Sequence, residues 1–385
     1  MRVLLCLLSD QHVPNLLSVH QYKPDQLVLI ESTQMASRKV ASHFLKALKL
    51  GGRDYDSRCH IEPLTAEDRL AEVRQALQRA YGRFSSAEWV ANLTGGTKPM
   101  SIATYEFFKA LGGKLVYTNI AHPACIIDME GGQLEDCRHR LEIKEFLAGY
   151  GFESRKADEK AAEAGERARG WSQSARLLAQ HACDQVVLDL NDEERKQGRR
   201  NGLNVKAGQF RFPCEELQSI WLNGRSERSL TKHEVELLTG GWLEVFFWDL
   251  LSRHANRLGI WDVQLGLEVG RCGDPSGNDF DVAFMHNHGL SMIECKSGSQ
   301  GHDPGGDVLY KIEAVTRQFR ALRVRSFLAT TATNVLKENK VKESLQVRAD
   351  IYQCRILIGD QIRELASHAD DAETVRRLIF GGPSS

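Results

Sequence analysis

The sequence contains no long hydrophobic run and no excess of charge of either sign. It has no stretch of about 18 apolar residues, so we expect no membrane-spanning helix. Lys and Arg total 50 against 51 Asp and Glu, which leaves a formal net charge of −1. This balance argues against a protein that coats nucleic acid, because neutralising phosphates dominates such binding. A chain of balanced net charge can nevertheless carry a local basic patch that binds nucleic acid.

Paired cysteines are also absent. The chain has no Cys-x-x-Cys pair and no Cys/His spacing typical of zinc sites. Residues 1–8 are apolar, but they are too few for a signal-peptide core, which favours a buried strand. We therefore expect reduced thiols in a cytoplasmic protein. The nine dispersed cysteines are Cys6, Cys59, Cys125, Cys137, Cys183, Cys214, Cys272, Cys295 and Cys354.

Regular alternation of strand and helix patterns marks the first third of the chain. At 385 residues the chain suits two or three domains. Strands separated by helices predict a parallel sheet with right-handed crossovers. We therefore predict a Rossmann-like α/β domain over residues 1–145. The predicted strands are residues 2–8, 26–30, 88–93 and 114–118, and the clearest helices are 37–50, 67–81 and 98–111.

The pattern changes near residue 150. Residues 153–169 are dense in Glu, Lys, Arg and Ala without an apolar stripe, which is typical of a solvated helix or of a linker between domains. Residues 203–212 alternate as a hairpin or wing would. We predict a small connecting module over residues 146–230, with a winged-helix-like fold as one option.

A mixed α/β domain is predicted over residues 231–385. It opens with a strongly apolar helix that carries Glu244. No internal repeat relates it to the first domain. The order that follows is strands at 263–269, 279–285 and 290–295, a helix at 306–322 that holds Lys311, and a strand at 325–329.

Two neighbouring strands of this domain carry a concentration of charged residues. Side chains two apart share one face of a strand, so Asp279 pairs with Asp281 and Glu294 with Lys296. The turn at residues 286–289 makes the strands antiparallel neighbours, which can bring Asp281 near Glu294. Converging carboxylates beside an ammonium suit Mg²⁺ or Mn²⁺, and the carbonyl of Cys295 is placed to add an oxygen ligand.

A solvated surface hairpin is the competing interpretation of these charges. For either fragment alone it is the better one, because charged pairs at i, i+2 are common on exposed strands. The apolar neighbours Phe280, Val282 and Ile293 instead indicate a central sheet. Buried carboxylates without a cation would be costly there. Such a site can cleave phosphodiesters, because the ion activates water and the ammonium offsets developing negative charge.

A second candidate site lies in the predicted Rossmann-like domain. The loop Thr94-Gly95-Gly96-Thr97-Lys98 joins a strand to a helix, where free backbone N–H groups attract phosphate. Its spacing matches neither a Walker A loop nor a dinucleotide fingerprint. Ser9, Asp10 and Gln11 follow the first strand and are the second contributor, because ligands bind at the carboxyl ends of parallel strands. An ordinary helix start explains these three equally well.

The charged strands resemble the PD-(D/E)XK, or restriction-endonuclease-like, nuclease motif over residues 232–332. Asp281, Glu294 and Lys296 match its core, and Glu244 matches its upstream acidic position. No proline precedes the aspartate, and Asp279 competes with Asp281 for the primary role. The resemblance implies a metal-dependent nuclease in which Asp281 and Glu294, with Cys295, hold Mn²⁺ or Mg²⁺.

Residues 1–145 resemble the CARF, or CRISPR-associated Rossmann fold, domain through the Thr-Gly-Gly-Thr-Lys loop and the polar loop after the first strand. One CARF domain before a PD-(D/E)XK domain is similar to the CRISPR ancillary nucleases of the Card/Can type. The resemblance implies a homodimer that binds a cyclic oligoadenylate, most often the tetra-adenylate, across its twofold axis. It further implies nicking or cleavage of DNA, and sometimes of RNA.

The sequence leaves two alternative functions open. The first is a non-enzymatic regulator that joins a nucleotide-binding domain to a nucleic-acid-binding domain around residues 171–228. The set of Asp281, Glu294 and Lys296 argues against it. The second is that the nucleotide-binding domain degrades its own ligand, which no residue pattern decides.

Overall fold

The computed structural model describes residues 1–119, 125–156, 158–182, 187–274, 276–298, 306–319 and 324–381. Within these residues the chain forms two large β-sheets and two small two-stranded ones. No helix in the described part is long and apolar enough to cross a membrane. Cys183 lies outside the described residues, and the other eight cysteines are free thiols.

The first domain is a seven-stranded sheet with helices on its faces. Its strands are β1 (Arg2–Leu7), β2 (Gln26–Ser32), β3 (Cys59–Leu64), β4 (Glu88–Asn92), β5 (Lys114–Thr118), β6 (Cys125–Asp128) and β7 (Leu134–Asp136). Its helices are α1 (Val13–Tyr22), α2 (Thr33–Ser37), α3 (Val40–Leu50), α4 (Leu70–Arg83), α5 (Lys98–Ala110) and α6 (Ile143–Gly149). The strand order is β3-β2-β1-β4-β5-β6-β7.

Strands β1 to β5 run parallel, which confirms the predicted Rossmann-like fold. The central strand β1 is buried on both faces, and this explains its continuous apolar run. Strands β6 and β7 were not predicted, and they extend the sheet in antiparallel fashion. Strand β3 was missed because it is an edge strand, half exposed and interrupted by Pro63. The helix predicted over 37–50 is broken by Lys39, which has a φ of 56°.

The connecting segment is folded onto both of its neighbours. Its elements are β8 (Phe152–Ser154), α7 (Asp158–Gln180), α8 (Asp192–Asn201), β9 (Leu203–Lys206), α9 (Glu215–Leu222) and β10 (Glu227–Leu230). Strand β9 pairs with β10 instead of forming a hairpin within residues 203–212. Residues 153–169 were expected to form a solvated helix or linker, but Gly165 and Ala168 of α7 are buried.

The second domain is built on a six-stranded mixed sheet. Its helices are α10 (Lys232–Glu236), α11 (Trp242–Leu258), α12 (Gly306–Phe319), α13 (Glu343–Ile351), α14 (Gly359–Ser367) and α15 (Ala372–Phe380). Its strands are β11 (Ile260–Arg271), β12 (Gly277–His286), β13 (Gly289–Lys296), β14 (Val324–Thr330), β15 (Leu336–Lys337), β16 (Lys340–Val341) and β17 (Cys354–Leu357). The large sheet has the order β17-β14-β13-β12-β11-β8, so β8 of the connecting segment forms one of its edges.

The two domains share a hydrophobic core. Phe146 and Leu147 of α6 lie in the same buried cluster as Met285 and Met292 of the second sheet. Only two residues separate the end of α6 from the start of β8, which pairs with β11. The first domain is therefore fixed against the second by apolar packing and by a continuous stretch of chain.

Candidate active site

The hairpin β12–β13 brings the predicted acidic residues together. Val282 pairs with Ile293 in an antiparallel register, so Asp281, one position earlier, faces Glu294, one position later. The backbone amide of Cys295 donates a hydrogen bond to Asp281 Oδ2 over 2.6 Å. Asp279 is exposed, and its carbonyl oxygen accepts from Lys311 Nζ at 2.6 Å. Asp281 is thus the aspartate whose carboxylate converges with Glu294.

Two ammonium groups hold the Glu294 carboxylate, whose side chain is only 3% exposed. Lys296 Nζ lies 2.9 Å from its Oε1. Lys311 Nζ, on α12, lies 3.0 and 3.2 Å from its two carboxylate oxygens. A buried carboxylate requires such compensation, since an unpaired charge is strongly destabilising away from water. Sequence reasoning noted Lys311 as a helix residue, and only the packing of α12 on the sheet brings it to Glu294.

Several carboxyl groups lie close together at this site, and their burial and mutual repulsion raise the pKa values of two of them. Burial, and then the charge of Glu294, raise the pKa of Asp281 to about 6. Burial, followed by repulsion from Asp281 and Glu236, raises the pKa of Glu244 to about 8. Burial acts to lower the pKa of Lys296, but Asp281 and Glu294 outweigh it and leave that pKa raised. Lys296 is therefore cationic beside Asp281 and Glu244, whose raised pKa values mean that their ionisation is disfavoured.

This donor set fits a divalent cation held by few protein ligands. Asp281 and Glu294 supply hard oxygen donors, which Mg²⁺ and Mn²⁺ prefer. Among the described residues, the carboxylate oxygens of Glu244, Asp281 and Glu294 are not gathered closely enough for all three to bind one ion directly. Mg²⁺ typically binds one or two carboxylates and keeps several waters, so Asp281 and Glu294 suffice. The Cys295 thiol is buried in the apolar core.

A groove of about 460 Å³ runs from Glu244 along α7 and α11. Lys156, which follows β8, donates from Nζ to the carbonyl of Leu265 at 2.9 Å. Lys160, Arg167 and Trp171 of α7 also line the groove. These residues escaped the sequence analysis because their segment has the composition of a solvated linker. The spacings of seven and four residues between Lys160, Arg167 and Trp171, which place them on one face of a helix, were the available signal.

The two predicted ligand loops of the first domain lie next to each other. Strand order reverses between β1 and β4, and Ser9–Gln11 and Thr94–Lys98 follow these two strands. A crevice at such a reversal is where open α/β sheets bind ligands. Asp10 is ion-paired to Arg38, with 2.7 Å from Oδ1 to Nη1. Ser9 Oγ accepts from the amide of Gln11 at 3.2 Å, so this hydroxyl stabilises its own turn.

The glycine-rich loop is held by the end of β1. A Cβ on Gly95 would lie 1.9 Å from the carbonyl oxygen of Leu7, so this close approach is to the protein's own backbone. Gly96 has a φ of 67°, which favours glycine. Thr97 caps α5 by accepting from the amide of Met100. Lys98 is exposed at the helix start.

A buried network of hydrogen bonds from side-chain amides positions the glycine-rich loop. Asn92 Nδ2 donates to Asn15 Oδ1 at 2.8 Å. The hydroxyl of Thr94 donates to Asn92 Oδ1 at 2.8 Å and accepts from the amide of Thr118 at 2.6 Å. Asn15, like Arg38, was missed, because a lone polar residue beside an apolar run gives no pattern. The predicted Thr94 is thus tied to β4 and β5.

Sequence models of two protein families match the chain, one in each domain. The Card1 CARF domain matches residues 3–146, and the Card1-like endonuclease domain matches residues 231–372. These matches confirm the CARF resemblance and place the converging acidic residues inside an endonuclease domain. No curated protein matches the chain in sequence.

Solved structures share this fold over nearly the whole chain. Can2 from Sulfobacillus thermosulfidooxidans, in complex with cyclic tetra-adenylate (cA4), is 18% identical with a TM-score of 0.68, over 96% of this chain and 100% of that one. Protein VC1899 from Vibrio cholerae is 14% identical with a TM-score of 0.71, over 97% and 98%. A type III CRISPR defence DNA nuclease activated by cyclic oligoadenylate is 16% identical with a TM-score of 0.51, over 90% of this chain and 51% of that one.

Proposed function

Because this chain joins a Card1 CARF domain to a Card1-like endonuclease domain, we propose that it is a metal-dependent endonuclease switched on by a cyclic oligoadenylate. The observation that carries the proposal is the convergence of Asp281, Glu294 and Lys296 on one face of the second sheet. The eight described cysteines are free thiols, as the reducing cytoplasm would keep them, and we place the reaction there.

In this proposal Asp281 and Glu294 hold Mn²⁺ or Mg²⁺, with the Cys295 carbonyl as a further oxygen donor. A bound divalent ion would polarise the phosphoryl group and lower the pKa of a water molecule. Lys296 is cationic and lies 2.9 Å from Glu294, where it can orient the attacking water and offset negative charge on the phosphate. Glu244, with a pKa of about 8, can carry a proton near neutral pH and release it when a cation arrives.

The substrate we propose is nucleic acid, either DNA or RNA. Lys156, Lys160 and Arg167 line the groove that leads to Glu244, and Trp171 lies beside them. Basic side chains neutralise backbone phosphates, and an aromatic ring can stack on an unpaired base. The groove also contains Glu163, Glu236 and Glu244, so its support for this proposal lies in individual basic side chains and not in a net positive charge.

The activator we propose is a cyclic oligoadenylate bound between two copies of the first domain. The Can2 structure, which shares this fold, was solved with cyclic tetra-adenylate. The crevice between β1 and β4 presents the start of α5 and Lys98 to an anionic ligand. A homodimer suits a symmetric ring, because each protomer then offers the same phosphate site.

The decisive experiment incubates the full chain with supercoiled plasmid, single-stranded DNA or RNA, with Mn²⁺ or Mg²⁺ and cyclic oligoadenylates of several ring sizes. We expect product only when both metal and activator are present, and none from the Glu294→Ala variant. Full cleavage by Glu294→Ala would refute the assignment. A mobility shift of the nucleic acid without product would support the regulator described above.

The Lys98→Ala variant tests the activator separately. It should need a higher activator concentration for half-maximal cleavage, while its rate at saturating activator stays unchanged. Calorimetry with the same cyclic oligoadenylates should show weaker binding, because one phosphate contact has been removed. Equal affinity of this variant and the wild type would place the ligand elsewhere.

A further inference from the structure

Two histidines and a glutamate meet in the first domain, at the edge of the sheet away from the glycine-rich loop. His20 lies near the end of α1, His139 in the segment between β7 and α6, and Glu145 in the first turn of α6. His20 Nε2 lies 3.1 Å and His139 Nε2 3.0 Å from the same oxygen, Glu145 Oε1. The three ligand atoms lie within 4.8 Å of one another. The proposed nuclease function uses none of these residues.

The spacing of these atoms matches a tetrahedral metal site. Zinc binds histidine nitrogen and carboxylate oxygen at about 2.0–2.1 Å, which places tetrahedral ligands about 3.3 Å apart. The distances to Glu145 Oε1 are close to this value. The side chains of His20 and Glu145 are 2% and 1% exposed, so both are fixed by packing. Two imidazoles and a carboxylate are a ligand set that zinc uses in proteins.

The unsatisfied nitrogen of His20 distinguishes this cluster from an ordinary hydrogen-bonded triad. His20 Nε2 is buried and, despite its short distance to Glu145, makes no hydrogen bond. A buried polar atom without a partner is costly, and a cation would supply the missing interaction. The rings of His20 and His139 are stacked, with centroids 3.5 Å apart and an angle of 9° between planes. Two protonated rings would repel at this distance, whereas neutral imidazoles are what a metal requires.

The surroundings of the cluster support a built site. The amide of Glu142 donates to Glu145 Oε2 at 3.0 Å, which orients the carboxylate from outside, as supporting residues do around metal ligands. A Cβ on Gly51 would lie 2.0 Å from Glu145 Oε1, so only glycine leaves room here. A cavity of about 610 Å³ is lined by His20 and His139 and offers an entry path and space for a water ligand.

We propose that His20, His139 and Glu145 bind a transition-metal ion of the Zn²⁺ type in the first domain. Such an ion joins the end of α1 to the start of α6, the helix that leads directly into β8 of the second sheet. It therefore stabilises the junction between the two domains. This site is chemically distinct from the all-oxygen site of Asp281 and Glu294, because imidazole nitrogen favours zinc over magnesium.

The test uses the full chain, stripped with a chelator and titrated with ZnCl₂, and with CoCl₂ for its visible absorption. The titrations use the Glu294→Ala background, so that the candidate nuclease site contributes little. We expect one bound ion per chain, a histidine-bound Co²⁺ spectrum, and a rise in melting temperature with Zn²⁺. Replacing His139, which is 29% exposed and so tolerates substitution, with Ala should weaken binding at least about tenfold.

His60→Ala is the matched control, because His60 Nε2 also lies 3.0 Å from a glutamate, Glu62, without a second histidine. It should bind Zn²⁺ and Co²⁺ as the background does. Binding that is unchanged in His139→Ala, or the absence of stoichiometric binding in a folded background protein, would overturn the proposal. Neither result bears on cleavage, which is measured with Mn²⁺ or Mg²⁺ in the wild-type chain.

Discussion

Asp262 of β11 accepts a hydrogen bond from the backbone amide of Ile143, the first residue of α6, with 2.6 Å between Oδ2 and N. The acceptor belongs to the second domain and the donor to the first. Asp262 has a φ of 50°, at an irregularity in the pairing of β11 with β12. A carboxylate at a helix N-terminus satisfies a free N–H group and favours the helix dipole. This contact fixes the helix that leads from the first domain into β8.

Asp262→Ala should therefore destabilise the protein by about 0.5–2 kcal/mol, the usual range for loss of a helix cap. Asp262→Asn keeps an oxygen acceptor and should lose less. Urea unfolding followed by circular dichroism measures both. Equal stability of Asp262→Ala and wild type would show that the contact contributes nothing to the junction.

The raised pKa of Asp281, about 6, predicts a pH dependence of the metal-free protein. A carboxyl whose pKa is higher in the folded state favours folding below its ordinary value, and this contribution is lost as pH rises through the folded value. Asp281→Asn removes the cost of ionisation. After metal has been removed with a chelator, the free energy of unfolding of the variant should exceed that of the wild type. This difference should grow between about pH 4 and pH 6, by about 1 kcal/mol or more.

Thermal unfolding across this pH range measures the difference. Added Mn²⁺ should reverse it, because the ion stabilises only the wild-type carboxylate. Asp274→Asn is the control, since the pKa of Asp274 is lowered by hydrogen bonds from Ser276, and its stability difference should have the opposite pH dependence. A pH-independent difference in stability between wild type and Asp281→Asn would mean that folding does not raise the pKa of Asp281.

Gly95→Ala should destabilise the protein and disturb the candidate ligand loop. The added Cβ would meet the Leu7 carbonyl oxygen at 1.9 Å, and because this oxygen belongs to the backbone of β1 it has little freedom to adjust. We expect a loss of about 1–3 kcal/mol, the usual cost of overpacking. Gly82→Ala is the control, because a Cβ there meets nothing within 4 Å on α4. It should be neutral or stabilising by up to about 1 kcal/mol in the same thermal scans.

Substituting the basic residues of the groove should weaken substrate binding without changing the chemical step. The double variant Lys160→Ala, Arg167→Ala removes two charges from the groove wall. We expect KM for nucleic acid to rise several-fold with kcat unchanged, and a shallower dependence of binding on salt, since fewer counterions are released. The control, Lys196→Ala with Arg200→Ala on α8, removes charges that lie outside this lining. A fall in kcat with KM unchanged would indicate that nucleic acid does not bind along this groove.

Local sequence patterns were sufficient where one residue run maps onto one element. Three segments carry their structure in their local sequence: the apolar run that became β1, the strand-like runs that became β12 and β13, and the Thr-Gly-Gly-Thr-Lys turn before α5. Antiparallel pairing across a short turn also follows from sequence. The facing of Asp281 and Glu294 could therefore be predicted before any coordinates.

Tertiary structure alone decided which distant segments complete the sheets and sites. Strand β8 has three residues and no pattern of its own, so only its pairing with β11 makes it part of the second sheet. Lys311 reaches Glu294 because α12 packs on that sheet, and Arg38 reaches Asp10 across 28 residues. His20 and Glu145, far apart in the chain, meet only through packing of α1 against α6. Periodicity reports the environment of one element, whereas these contacts depend on how several elements pack.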